Sequence, residues 1–456
     1  PVRFCMTPLR AVGKRPPLVR RPLLAKGKLL DRLGQSTLHE WAGKTRSVEE
    51  LKSRLKGQLE SAGREAWPRG FSRWGGWLKK RFEATGYFRT ERERGKGGRW
   101  WLVDPDGHAF WSAGIDCVRN VIDSAFTGVE EALTALPPKP FVAERAGGRL
   151  ANYLGANFGR VFGGRWLEAW DRITVGQLKR LGFNTIGNWS DARLARGAQF
   201  PYVVPLQFRP TRTPSVFRDF PDVFDEKAFA ADAAEYAKQL EPLREDRALI
   251  GYFLMNEPTW GFAIETPAEG MLFNTPRCRT RKALAQFMKQ RYRSEQALSR
   301  AWGIKTTFAK LAGGVWKAPL TPAARKDLDA FSTVMVEKLY RGLSEACRGV
   351  DPNHLNLGAR YYTVPPRWAL EGMKCFDVFS IQEAIARLPL DLFCPAVKVL
   401  GRPVLIGEWH FGAHDVGLPA SGIGRVASQA DRGRAYRVYV EDAAAQGVCV
   451  GVHYFT

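Results

Sequence analysis

Apolar positions along the chain fall into two regimes. Over residues 47–61 (SVEELKSRLKGQLES) they recur at Val48, Leu51, Leu55 and Leu59. That spacing of three and four predicts one amphipathic helix, with Ser47 and Glu50 fitting a capping box at its start. From about residue 98 the pattern changes. Eight short runs rich in apolar and β-branched residues follow, at 110–116, 183–189, 202–208, 249–257, 356–362, 376–383, 404–411 and 448–455; FNTIGNW, LIGYFLMNE and VLIGEWHF are examples. Helix-length segments separate most of them. One at 170–181 has helical period and stops at Gly182; another covers 229–240. Strands alternating with helices predict parallel βα units, and eight of them predict an α/β fold of the (β/α)8 barrel (TIM barrel) type.

The long gap after the fourth run holds helical pieces around 282–302 and 322–350. We read 258–321 as an insertion over one mouth of the barrel and 322–350 as a barrel helix. The chain thus divides into a basic N-terminal extension with one or more helices (1–95), not strand-patterned, and a barrel (96–456). The sequence stops after the eighth run, so either the barrel is truncated there or an N-terminal helix takes the place of its eighth helix.

Composition narrows the class. Of 456 residues, 45% are hydrophobic and 25% charged, an ordinary globular balance. No stretch approaches the ~18 consecutive apolar residues of a membrane-spanning helix. The formal charge is +23, but residues 1–100 carry 25 Lys and Arg against 9 Asp and Glu, while the other 356 residues carry 44 against 37. The excess reads as a solvated basic arm, and with no zinc-knuckle spacing or RNP-like strand it does not make a nucleic-acid-binding protein. A sulfated, acidic polysaccharide is a second reading of the same charge. Seven cysteines, widely spaced and without a CxxC pair, argue against a disulfide framework or a zinc ribbon. Two lysines interrupt the apolar stretch at 23–30, which leaves no clear signal peptide.

Active sites of such barrels lie at the C-terminal ends of the strands. The fourth run ends Asn256-Glu257-Pro258 and the seventh ends Glu408-Trp409-His410. Strands four and seven face each other across a barrel, so the two glutamates can converge. Two facing carboxylates are what glycosidic cleavage needs: one protonates the leaving oxygen, and the other attacks the anomeric carbon or activates water. Other candidates at strand ends are Asp116, Asn188 and Trp189 (runs one and two), Tyr361 (five), Gln382 and Glu383 (six), and His453 (eight). Trp260 opens the insertion. Asp116, Asn188 and Trp189 suit sugar hydroxyls and a ring face, and Tyr361 suits orienting the nucleophile. Glu383 is a third mouth carboxylate that competes for either catalytic role. His410, His414 and Asp415 lack the helical setting of a zinc motif, so no metal and no cofactor are expected; His410 reads as a contact to substrate or carboxylate.

The Asn-Glu-Pro end of run four, with a Glu ending run seven, resembles the clan of retaining (β/α)8-barrel glycosidases. Four segments, 100–117 (WWLVDPDGHAFWSAGIDC), 181–191 (LGFNTIGNWSD), 251–258 (GYFLMNEP) and 402–413 (RPVLIGEWHFGA), resemble the β-agarases of glycoside hydrolase family 50. The resemblance implies Glu257 as general acid/base, Glu408 as nucleophile, and Asn256 as a hydrogen-bond partner of the sugar 2-hydroxyl. It implies a retaining two-glutamate hydrolase of β-galactosidic links in agarose-like galactans or galacto-oligosaccharides, in an extracellular or periplasmic setting. The alternatives are a β-galactosidase, mannanase or glucanase on the same barrel, or a non-catalytic polysaccharide-binding barrel. The segment over the mouth favours exo action.

Overall fold

The structure is a computed structural model that describes residues 28–455, apart from 96, 122–123, 146, 384 and 419. Residues 1–27 of the basic extension, with Cys5, and Thr456 therefore lie outside the described residues. Eight parallel strands form one sheet: β1 (Ser112–Ile115), β2 (Thr185–Ile186), β3 (Tyr202–Pro205), β4 (Leu249–Phe253), β5 (Leu355–Asn356), β6 (Phe379–Gln382), β7 (Val404–Trp409) and β8 (Cys449–Tyr454). Each lies within or against one of the eight runs, in the spatial order β5-β4-β3-β2-β1-β8-β7-β6. The sheet curls until its outer strands meet. Past β5, the Tyr361 N–H donates to the Ser380 carbonyl (3.2 Å), and the Gln382 N–H donates to the Tyr361 carbonyl (2.6 Å). This arrangement is consistent with a TIM-like barrel.

Local chemistry explains the alternation. Strands β4 and β8 are buried along their whole length, as parallel strands covered on both faces must be. The helix Trp166–Leu181 stops where Gly182 turns left-handed (φ 79°). Helix Pro322–Val350 begins at a Thr321 cap and ends at Asp351, two residues before the strand lead-in. The segment between β4 and this helix holds four short helices. They pack around Arg281, which is fully buried and donates to the carbonyls of Leu311 (2.8 Å) and Lys310 (2.6 Å). The single helical piece expected around 282–302 is two helices, Arg279–Tyr292 and Glu295–Trp302, because Arg293 takes φ 60° and Ser294 caps a new start.

The N-terminal region holds more strand than its composition suggested. Helix Val48–Ala62 forms as expected and buries Leu51 and Leu55. The Ser47 hydroxyl accepts from the Glu50 N–H (3.0 Å), but the Glu50 carboxylate takes the Arg46 N–H (2.7 Å), so only half of the capping box forms. After this helix comes a four-stranded antiparallel sheet of Trp77–Arg81, Arg89–Arg92, Trp100–Val103 and His108–Phe110. It spans the boundary drawn at residue 95, since Arg89–Arg92 pairs with Trp100–Val103. Lysines and arginines on its two unburied strands hid the alternation. A tight turn joins the last two strands: the Asp104 carboxylate accepts from the N–H groups of Asp106 (3.0 Å) and His108 (2.8 Å), and Gly107 sits at φ 92°.

This small sheet closes the end of the barrel where the strands begin. Phe88, Leu102 and Phe110 join one apolar cluster with Tyr202, Leu249, Leu355, Leu405 and Val450 at the starts of barrel strands. Phe110 is fully buried, its ring 5.1 Å from that of Phe88. Truncating it should open a cavity where sheet and barrel meet. We expect Phe110→Ala to lower unfolding stability by about 3–5 kcal/mol in denaturant titration.

Candidate active site

Arg360 is the residue around which the mouth is arranged, and sequence reading missed it. It is fully buried in the run that follows β5. Its Nη2 donates to Glu408 Oε2 (2.7 Å), to the Gly407 carbonyl (2.8 Å) and, at longer reach, to Asp116 Oδ2 (3.3 Å). The guanidinium carbon stands 5.4 Å from the centre of the Phe253 ring and 5.8 Å from that of Trp189. A cation is thus held between two carboxylates and two aromatic faces.

Small residues make room for it. A Cβ on Gly407 would stand 3.1 Å from Arg360 Nε, and one on Gly187 would stand 2.0 Å from Asp116 Oδ1. Gly187 thus lets Asp116 lie against β2, where its Oδ1 accepts the Asn188 N–H (2.8 Å).

Glu257 and Glu408 occupy the ends of β4 and β7, as expected. A side-chain chain of hydrogen bonds links the two strands: Gln382 Nε2 donates to Glu408 Oε2 (3.0 Å) and to Asn256 Oδ1 (3.3 Å). Asn256 and Glu257 are half-buried, and the Glu408 side chain keeps 26% of its surface exposed against none for Asp116.

Burial raises the pKa of Glu408 above the ordinary glutamate range; Arg360 opposes this, and the negative charge of Glu257 adds to it. The two glutamates therefore sense each other across the mouth. Burial likewise pushes Asp116 up, to about 7, against the pull of Arg360 and with a further push from Glu408.

Several expected contacts take other roles. Asp116 lies under Arg360 and has no exposed surface, so it serves the charge cluster and not sugar hydroxyls. His453 is also fully buried: its Nε2 meets the Ser112 hydroxyl (2.9 Å), which in turn meets Thr185 Oγ1 (2.7 Å), inside the barrel. Burial, with Arg360 close by, holds its pKa down at about 3, so the ring is neutral. Tyr361 does not touch Glu408; its hydroxyl pairs with that of Tyr340.

Glu383 follows Gln382 on the strand, so it points to the opposite face. Its charge is felt by the Tyr439 hydroxyl on the outer helix Gln429–Ala445 and does not figure at Glu408. His410 Nε2 accepts the Ile423 N–H (3.0 Å) and anchors the loop there; burial lowers its pKa. Asp415 accepts the Gln429 N–H at the start of the same outer helix (2.9 Å).

Trp189 remains half-buried at the mouth, as a ring platform requires. The Asn188 amide is buried beside it, and neither its Nδ2 nor its Oδ1 has a hydrogen-bond partner. Trp260 is buried (2% exposed) in the floor of a cleft beside Glu257, with its ring edge-on to Phe220 (5.4 Å) and Tyr361 (6.0 Å).

Comparison with known proteins gives one consistent neighbourhood. No protein-family model matches the chain. It is 28% identical over 479 residues to "Beta-agarase B" of Vibrio sp. (strain JT0107), covering 94% of this chain and 50% of that one. The chain spans about half the length of the curated relatives it matches. Among solved structures, an exo-β-agarase is 28% identical with a TM-score of 0.83, covering 94% of this chain and 67% of that one. The structure of PfGH50B is 25% identical with a TM-score of 0.85, covering 94% and 68%.

The charge cluster predicts a pH-dependent stability. Replacing Arg360 with Met leaves the Asp116 and Glu408 carboxylates without their cation, an uncompensated burial that costs about 3–5 kcal/mol when they are ionised. The cost should shrink at low pH, where both carboxylates take up protons. Asp116 itself has a raised folded-state pKa, so its contribution is complete below 3.8 and lost as pH rises through about 7. Denaturation of wild type and Arg360→Met between pH 5 and pH 8 should therefore show a gap that widens with pH.

Proposed function

We propose that the chain is a β-agarase-like glycoside hydrolase of family 50, a retaining enzyme acting on β-galactosidic links of agarose-like galactans; its likeness to β-agarases over 94% of its length supports this. The observation that carries this reading is that Gln382 donates both to Glu408 and to Asn256, the neighbour of Glu257, and that the charge of Glu257 is felt at Glu408. The names of the similar proteins, β-agarase and exo-β-agarase, support the substrate class.

In this reading Glu408 is the nucleophile. Arg360 and Gln382 both donate to its Oε2, which orients the carboxylate and stabilises its charge while the other oxygen is left to attack the anomeric carbon. Glu257 gives its proton to the leaving oxygen and later takes one from water, so that the glycosyl ester on Glu408 is hydrolysed with overall retention. Asn256 is held by Gln382 beside the nucleophile, in place to meet the sugar 2-hydroxyl, and the Trp189 ring offers a platform for the apolar face of the sugar.

Reducing-sugar release from agarose oligosaccharides and a panel of other β-glycans tests the reading. Wild type should release sugar with the anomeric configuration retained, as read by NMR of the first product. Glu408→Ala should abolish release, and added azide should restore turnover as a glycosyl azide. Release that survives this substitution sinks the assignment. Glu257→Gln should slow turnover by about 10²–10⁴-fold.

A further inference from the structure

An acid that protonates a leaving oxygen stands beside the departing sugar. What surrounds Glu257 on the side away from Glu408 is therefore informative. Glu257 lines a cleft built by two loops, one following β4 and one following β5, and no residue of β7 or β8 contributes to it. The two loops display two exposed rings, Phe262 (49% exposed) and Tyr362 (43%), with centroids 5.9 Å apart and planes inclined at 44°.

Beneath them the floor is fixed. Trp260 and Tyr361 are both buried, Tyr361 is stacked on Phe379, and Gly261 passes so close to Tyr361 that a Cβ there would stand 3.1 Å from its ring. The first loop is also pinned from below. Asp219 accepts from the N–H groups of Thr259 (2.8 Å) and Trp260 (2.9 Å), and Arg218 donates to the Thr259 carbonyl (3.0 Å). Phe262 is therefore presented by a held turn.

We propose that Phe262 and Tyr362 form the subsite for the leaving sugar, clasping the apolar face of a neutral pyranose ring as Glu257 protonates its glycosidic oxygen. The inference rests on the glycosidase reading above. Two rings set at an angle over a buried aromatic floor suit a sugar face better than they suit water. The chemical class follows from charge. Among the described residues, Glu257 and Glu265 are the carboxylates lining the cleft, and no Lys or Arg lines it. A sulfated sugar would meet negative charge without a cation, so the sulfated-polysaccharide reading of the basic arm does not extend to this subsite.

A substrate pair separates the subsite from the chemistry. One substrate is an agarose oligosaccharide, whose leaving group is a sugar; the other is the β-fluoride of the unit that wild type releases, whose leaving group is too small to reach the rings. The readout is the ratio of kcat/KM for the oligosaccharide to that for the fluoride. Phe262→Ala and Tyr362→Ala should each lower this ratio about tenfold. Both side chains are exposed, so melting temperatures should stay within a degree or two of wild type. Transfer of the glycosyl unit to an added acceptor sugar should fall with the ratio. An unchanged ratio in both variants, with wild type active, overturns the subsite and leaves the glycosidase reading standing. Wild type inert to both substrates overturns the glycosidase reading and the subsite with it.

Discussion

A single buried cation organises the mouth of this barrel. Arg360 has no exposed surface, and an uncompensated ion at such a site costs several kcal/mol. The compensation comes from two strands: Asp116 after β1, and the Gly407 carbonyl with Glu408 on β7. Two carboxylates around one guanidinium leave an excess of negative charge, and burial disfavours that excess most where it is deepest. Asp116, with no exposed surface, takes up a proton near neutral pH, while Glu408 keeps a quarter of its side chain in solvent. Depth, together with the closer hold of Arg360 and Gln382 on Glu408, thus separates the two carboxylates. The deeper one favours a proton, and the shallower one faces the mouth.

The barrel was legible because its strands are buried on both faces. Parallel strands of this kind are continuous apolar runs, and every one of the eight runs holds or abuts a strand. Glu257 and Glu408 were legible because charge at the end of an apolar run has little structural reason to be there. The antiparallel sheet was not, because two of its strands bury none of their residues and carry Lys79, Lys80, Arg89 and Arg92, which reads as a solvated basic stretch. The Asp-Pro-Asp-Gly turn at 104–107 was the available cue, since Asp-Gly between apolar runs is a hairpin signal.

The site residues divided along a different line. Sequence places a residue at the end of a strand, but the register decides which face it takes. Gln382 and Glu383 are neighbours; one bonds Glu408 and the other turns outward toward Tyr439. His453 was expected at the mouth and sits one layer deeper, against Ser112. Arg360 was passed over because arginine usually belongs to surfaces. Its cue was its position inside the otherwise apolar run LNLGARYY, where a charge has to be paired.

Backbone strain explains how two adjacent residues can both serve the mouth. In a strand, Asn256 and Glu257 would point to opposite faces. Here both take part: Asn256 reaches Gln382, and Glu257 lines the neighbouring cleft and bears on the charge of Glu408. The break in alternation is local, since Glu257 takes φ 46°, in the left-handed region that side chains disfavour. The same departure recurs at Cys117 (φ 62°), Trp189 (φ 61°) and Arg360 (φ 48°), each just past the end of a barrel strand. Such conformations cost about 1–3 kcal/mol apiece and persist only where the surroundings fix them. The surroundings here are the cluster of Arg360 with its carboxylates above and the apolar plug of Phe88, Leu102 and Phe110 below. The strained corners turn side chains inward at four points of the rim, and the stability that holds them there comes from the opposite end of the barrel as well as from the site itself.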